Sequence, residues 1–473
     1  MKTVTKATDG RLDRSKRLAG GMGMPVAVQD AEGLLRRAVL SCLLWEDLFY
    51  ETGVSVAENI SNLIPQVSPS ICANIAIEAR EVQKLRHVPL YMTAIMAGLP
   101  KHKAYVGDVL SRVVNRADEL AEFLAIYWKA NGGKVPLSKQ VKVGLASAFG
   151  KFNEYQFAKY RGEGKDVKLR DALQLVHPKP NSQATSELYR KILDGTLETP
   201  DTWEVALSTG KNKKETWERL INEGKLGALA FLRNLRNMEE HGVSHDVIRH
   251  GFETINPRWL LPLNYFSASK YAPRWEQEIE KMMFKAFDGM QKLSGTTIFI
   301  VDVSGSTSSG VSGKGEYSRL DVEKILTVIG IEMCEKSIVY VTAGDDGRSI
   351  HKTQLVPTRR GFGMSDIIRD SMHKMGGGGI FTRQALDYVK QDLKTAVKPD
   401  RIIVLTDSQD CDHNKALPAP FGKNNYIIDV SAHAHGINYK GVWTAEISGW
   451  SEHFIKFIAG VEGLNLQETL DEE

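Results

Sequence analysis

The stretch Thr297-Ile-Phe-Ile-Val-Asp302-Val-Ser304-Gly-Ser306-Thr307 constrains this chain more than any other. Thr297 to Val301 are β-branched or aromatic, the composition of a strand buried on both faces of a parallel sheet. Asp302, Ser304 and Ser306 then fall at alternate positions. That puts one carboxylate and two hydroxyls just past the strand's carboxyl end, where open α/β sheets bind their ligands. A single carboxylate among neutral hydroxyls suits a small hard divalent cation that keeps some of its water. On its own, the same pattern also suits a Ser/Gly turn that caps a helix.

Two later stretches bear on that choice. Asp400-Arg-Ile-Ile-Val-Leu-Thr-Asp407 repeats the design of an apolar strand ending in Asp, and Gly376 to Gly379 form a glycine loop that leads to Thr382. A helical pattern of Ala385, Leu386, Val389 and Leu393 follows. These residues together resemble a von Willebrand factor A domain, whose metal-ion-dependent adhesion site pairs DxSxS with a Thr on a Gly-rich loop and an Asp after a later strand. The resemblance implies that Asp302, Ser304, Ser306, Thr382 and Asp407 hold one divalent cation, Mg²⁺ foremost, at which a protein partner docks. One departure stands out: the Thr is followed by Arg383, where that family often has an acid. Around the motifs, strands expected at 296–302, 337–343, 401–406 and 425–430 alternate with helices at 319–335, 364–374, 383–394 and 451–460. This is a doubly wound, Rossmann-like α/β sheet.

Before residue 290 the pattern is different. Apolar residues recur at helical spacing over about ten short segments, among them 69–85, 89–98, 117–130, 138–149 and 225–238, separated by brief Gly and Pro breakers. No β-rich run interrupts them. Stacked helical pairs in a solenoid are the architecture expected of such a series. The formal charge of +3 conceals a division, since residues 1–290 hold 41 Lys/Arg and 34 Asp/Glu against 20 and 24 in 291–473. Residues 129–179 alone carry eleven basic and four acidic side chains. Interleaved with Phe149, Phe152, Tyr155, Phe157 and Tyr160, this window suits an anionic polymer. It suits equally a solvated helix face over an aromatic core.

Particular phrases of the helical region resemble the TROVE module of Ro autoantigen proteins: Leu43-Leu-Trp-Glu-Asp-Leu-Phe-Tyr50, Arg80 with Leu85-Arg86-His-Val-Pro89, Ala158-Lys159-Tyr160-Arg161, Asp171 to Pro180, and Leu232-Arg233-Asn234-Leu235. That family joins an all-α, HEAT-like helical-repeat ring to a C-terminal von Willebrand factor A domain, the order seen here. The resemblance implies small structured noncoding (Y-like) RNA on the ring's outer surface, single-stranded 3′ ends of misfolded RNA in its central hole, and in some bacteria a tethered exoribonuclease. Lys159 and His177 fall on family positions that face RNA. Arg161, Lys165 and Arg170 are looser neighbours, and Lys139 and Lys142 belong to the same basic window.

The expected organisation is a basic arm over 1–28, the helical ring over 29–290 and the A-like domain over 291–473. Four scattered cysteines without CxxC spacing argue for a reducing compartment, and no stretch of about 18 apolar residues occurs, so a cytoplasmic, membrane-free monomer is expected. Catalysis is not expected, since no nucleophile, base and orienter can be assembled from spacing and the glycine loop lacks the Gly-Lys-Ser/Thr of a phosphate-binding loop. The expected function is that of a non-enzymatic RNA-binding ribonucleoprotein component. The alternative is a metal-dependent protein-adhesion adaptor with no RNA role.

Overall fold

A computed structural model of the chain describes residues 31–40, 53–81, 85–160, 166–199, 201–208, 212–257, 260–311, 317–375, 377–393, 397–407, 411, 420–430, 443–448 and 454–462. The expected basic arm at 1–28 lies outside them, as does the phrase at 43–50. The chain divides by compactness into two units, one holding 31–44 and 57–211, the other chiefly 212–473.

The first unit is all helix: α1 (Ala31–Leu40), α2 (Gly53–Leu63), α3 (Pro69–Glu81), α4 (His87–Gly98), α5 (Val106–Val113), α6 (Asp118–Ala130), α7 (Lys139–Phe149), α8 (Glu154–Lys159), α9 (Leu169–Val176), α10 (Gln183–Asp194) and α11 (Trp203–Ser208). Most contacts between helices join sequence neighbours or next-but-one helices, as in the pairs α3–α4, α3–α5, α4–α6, α5–α7 and α7–α9. This is how a solenoid buries faces that no single helix pair can cover. In α9 the buried residues Leu169, Ala172, Leu173 and Val176 mark one stripe at i, i+3, i+4 and i+7. Ser138, Asn153 and Ser182 start their helices by accepting a backbone N–H into the side-chain oxygen.

Charged residues within the helical phrases hold this unit together. The Arg80 guanidinium donates twice to Glu119, at 2.8 Å each, with Glu119 fully buried. Glu119 also accepts the N–H groups of Asn115 and Arg116. Arg86 reaches Asp118 at 2.7 Å and Glu122 at 2.6 Å. The arginines that carry much of the family resemblance thus fasten α3 and the start of α4 to α6.

In the second unit come α12 (Lys213–Asn222), α13 (Ala228–Glu240), α14 (His245–Thr254), α15 (Pro262–Tyr271) and α16 (Glu276–Phe287). They continue the next-but-one pairing through α12–α14, α13–α15 and α14–α16. Then follow β1 (Leu293–Asp302), α17 (Arg319–Met333), β2 (Cys334–Asp345), β3 (Ile350–Val356), α18 (Gly361–Met375), α19 (Thr382–Leu393), β4 (Arg401–Thr406), β5 (Asn424–Asp429), β6 (Ala445–Ser448) and α20 (Phe454–Val461). Secondary structure changes type between α16 and β1, close to residue 290, whereas compactness divides the chain earlier, between 211 and 212. The reason is packing: α15 and α16 rest on α17, and Glu280 of α16 accepts the Phe362 N–H of α18 at 2.8 Å.

The sheet runs β3-β2-β1-β4-β5-β6, parallel except for β3, which pairs antiparallel to β2 at the edge. Strand β6 and helices α8, α9, α11 and α15 were not expected from the sequence, which for β3 suggested only a polar hairpin near Asp345-Asp346-Gly347. β3 alternates poorly, with Ile350 and Leu355 both exposed, so it lacks the apolar signature of its neighbours. No helix among the described residues is long and apolar enough to cross a membrane.

Candidate functional site

The centre of the sheet assembles the first candidate site. β1 lies between β2 and β4, and its register sets Asp302 beside Thr342, while Thr406 of β4 pairs with Asp429 of β5. Asp302, Asp407 and Asp429 therefore end neighbouring parallel strands at one edge. The strand order turns back at β1 and β4, and that switch point is where open α/β sheets form a crevice.

Within it, Asp302 is fully buried and accepts the Ser304 N–H on Oδ1 and the Thr406 hydroxyl on Oδ2, each at 2.8 Å. The Ser304 and Ser306 hydroxyl oxygens lie 3.1 Å apart. Thr307 donates its hydroxyl to the Ser304 carbonyl and closes the short turn. The glycine loop is held against this turn, since the Gly305 N–H donates to the Gly378 carbonyl and a Cβ at Gly305 would stand 2.3 Å from the Gly377 carbonyl oxygen. Thr382 starts α19 just beyond that loop, with its side chain buried. Asp407 is buried as well and bonds Ser306 and the Arg319 guanidinium, the latter at 2.7 Å. Arg383, in the position where an acid is frequent, turns to Asp387 one helical turn on.

Sequence reasoning missed Arg319, Glu323 and Asp429. Arg319 and Glu323 sit one turn apart on α17, both buried, and Asp429 is buried at the end of β5. The signal was present: α17 carries apolar residues on every side, and a helix of that kind has no solvent face for its charges. Asp302, Asp407 and Asp429 thus stand at the ends of neighbouring strands, and Arg319 and Glu323 lie on α17, which packs on β1 and reaches Asp407 through Arg319. Burial and the charge of Asp407 push the Asp302 carboxyl up, and burial pushes Asp407 up against the pull of Arg319. Among the described residues no three His, Cys, Asp or Glu side chains are grouped closely enough to hold a metal ion by themselves, so a cation here would rest on two carboxylates, Asp302 and Asp407, together with the hydroxyls of Ser304 and Ser306.

The second candidate is cationic and belongs to the helical unit. Lys139 and Lys142 are exposed on the opening turns of α7, Lys159 closes α8, and Arg170 opens α9, which packs on α7. None of these four has an acidic partner among the described residues. The Lys159 ammonium lies 5.7 Å from the Tyr160 ring centroid, and the Arg116 guanidinium stands over the same ring at 4.5 Å. His177 ends α9, exposed and with φ 53°, a left-handed conformation held by its N–H to the Leu173 carbonyl. Arg161 and Lys165 lie outside the described residues. The window's aromatics divide: Phe149, Phe152 and Phe157 are core, while Tyr155 is 49% exposed. Lys151 serves structure, capping α5 through the Val114 carbonyl at 2.9 Å.

Comparison with known proteins adds three findings. The TROVE domain family matches residues 26–198 and 195–255. Among curated proteins, telomerase protein component 1 of Rattus norvegicus is 24% identical over 52% of this chain and 13% of its own length, and that of Mus musculus is 23% identical over 55% and 13%. The chain thus spans about an eighth of the length of these relatives. Among solved structures, the RO (RSR) protein of Deinococcus radiodurans superposes over 92% of this chain and 100% of its own, with TM-score 0.57 and 16% identity. At that identity the likeness is one of fold: helical repeats followed by a von Willebrand factor A-like α/β domain.

Proposed function

The chain belongs to the TROVE family through residues 26–255, and on that premise we propose that it is a non-enzymatic RNA-binding component of a Ro-type ribonucleoprotein. The helical region takes small structured, Y-like RNA on its outer surface and single-stranded 3′ ends in the central hole that the family's ring implies. The observation that carries this reading is the set of exposed cations Lys139, Lys142, Lys159 and Arg170, without acidic partners among the described residues, with Lys159 beside Tyr160 and Tyr155 exposed on the same helix, α8. Lys and Arg neutralise phosphates with little regard to sequence, and tyrosine faces stack unpaired bases. His177 belongs to the same reading, as do Arg161 and Lys165, which lie outside the described residues.

Asp302, Ser304, Ser306, Thr382 and Asp407 would hold one divalent cation, Mg²⁺ by the hardness of its donors. When bound, the cation supplies an open coordination position for an oxygen of a protein partner, an exoribonuclease being one such partner. Asp302 fixes the turn through the Ser304 N–H and so presents both serine hydroxyls together. Arg319 orients Asp407.

Two experiments test these parts separately. Nucleic acid extracted from the purified full chain should be short RNA; a clean protein absorbance spectrum with no recoverable RNA would favour the metal-dependent adaptor instead. Asp302→Ala should abolish divalent binding and partner capture while RNA affinity stays within about threefold, roughly 0.6 kcal/mol. Loss of RNA binding from a folded Asp302→Ala chain would overturn this division of labour.

A further inference from the structure

Glu323 differs from the other buried acids of this protein. It is 0% exposed, and neither carboxylate oxygen has a hydrogen-bond partner among the described residues. Glu119 and Glu332 are paired with arginines, Asp302 accepts two hydrogen bonds, and Asp407 has Arg319. A buried acid without a partner is costly, and the flanking positions Val322, Ile325 and Leu326 show that an apolar side chain would suit this helix. An orphaned buried group points to a water or ion that belongs beside it.

Its surroundings identify which. Glu323 stands one turn after Arg319 on α17, and Arg319 reaches Asp407. α17 packs on β1 and on the Gly305–Ser308 turn, which sets Glu323 on the α17 side of the crevice at the ends of β1 and β4. A small hard dication bound through one or two carboxylates keeps several waters, and each of those waters has hydrogens that need acceptors. Ser304, Ser306 and Thr382 offer hydroxyls, and Arg319 offers only donors. Glu323 offers acceptor sites that no described residue occupies.

We propose that Glu323 is a positioning residue of the divalent-cation site, accepting hydrogen bonds from cation-bound water and thereby setting the site's affinity. The assignment rests on reading Asp302, Ser304, Ser306, Thr382 and Asp407 as that site. It explains why an acid stands among the buried apolar side chains of Val322, Ile325 and Leu326. It also gives the crevice a wall of acceptors on the α17 side, in addition to the donors of the DxSxS turn.

The test uses the full chain stripped of metal with a chelator and titrated with Mn²⁺, followed by calorimetry and by the electron paramagnetic resonance signal of the ion. Glu323→Gln keeps the shape and removes the charge. It should weaken Mn²⁺ binding by about 10- to 100-fold, the usual effect of losing such a partner, while the metal-free melting temperature stays level or rises. Glu323→Leu should weaken binding at least as much and raise the metal-free melting temperature. An unchanged Mn²⁺ affinity in Glu323→Gln, with binding abolished in Asp302→Ala, would overturn the role of Glu323 and leave the cation site standing. A wild-type chain that binds no Mn²⁺ would remove the site and this assignment together. A fall in metal-free stability matching the fall in affinity would make Glu323 a structural residue and overturn the proposal.

Discussion

Replacing Lys139, Lys142 and Arg170 together by Ala should change how RNA binding responds to salt, by an amount that follows from their environment. All three are exposed on α7 and α9 without an acidic partner among the described residues, so each is able to displace a counterion from a phosphate. On a single strand each such contact contributes about 0.7 to the slope of log K against log salt, so losing three should flatten the slope by about 2. If the contacts are purely ionic, affinity falls by about 100-fold at roughly 0.1 M salt and the difference closes toward 1 M. Fluorescence anisotropy with a labelled single strand, from about 50 to 200 mM salt, reads both quantities. Lys151→Ala is the control, because that ammonium is committed to the Val114 carbonyl and Asn115. It should lower stability and leave the slope unchanged. A triple variant that is folded and retains the wild-type slope would refute the assignment of RNA to this face.

Two further outcomes concern how the scaffold holds its sites. Arg80→Ala removes two 2.8 Å donors from buried Glu119, which keeps Arg86 at 3.3 Å and the N–H groups of Asn115 and Arg116, and should cost about 1.5–3 kcal/mol in chemical denaturation; a loss below about 1 kcal/mol, the range of an exposed pair, would mean the network is solvated. Gly305→Ala drives a Cβ to 2.3 Å from the Gly377 carbonyl oxygen and should cost about 1–3 kcal/mol, with weaker divalent binding in calorimetry; unchanged affinity would show that the glycine loop does not help to shape the site.

What the sequence disclosed followed the clarity of its patterns. The strand into Asp302 and the strand into Asp407 are apolar on both faces, so their place at the sheet centre was readable before any coordinates. The glycine loop was readable as a loop, but its contact with Gly305 depends on a tertiary approach that no local pattern encodes. β3 was hidden because an edge strand with exposed Ile350 and Leu355 has no clean alternation. Arg319 and Glu323 bear no local mark that separates them from solvent-facing helix charges, and only the burial of α17 on both of its sides shows that they have no route to solvent. In the helical unit, Phe149 and Phe157 belonged to the core, and composition could not separate them from the exposed Tyr155. Arg80 and Arg86 marked the family while serving the scaffold, a distinction that depends on the acids of α6 lying across from them.

The central claim is that RNA is held by the helical region and a divalent cation by the sheet. Its most direct test is ultraviolet cross-linking of a single-stranded RNA to the full chain, with the modified peptides mapped by mass spectrometry. Cross-links should concentrate between Lys139 and His177, Tyr155 and Tyr160 foremost, and should persist in Asp302→Ala. Cross-links confined to residues 293–462, or lost on Asp302→Ala in a folded chain, would contradict it.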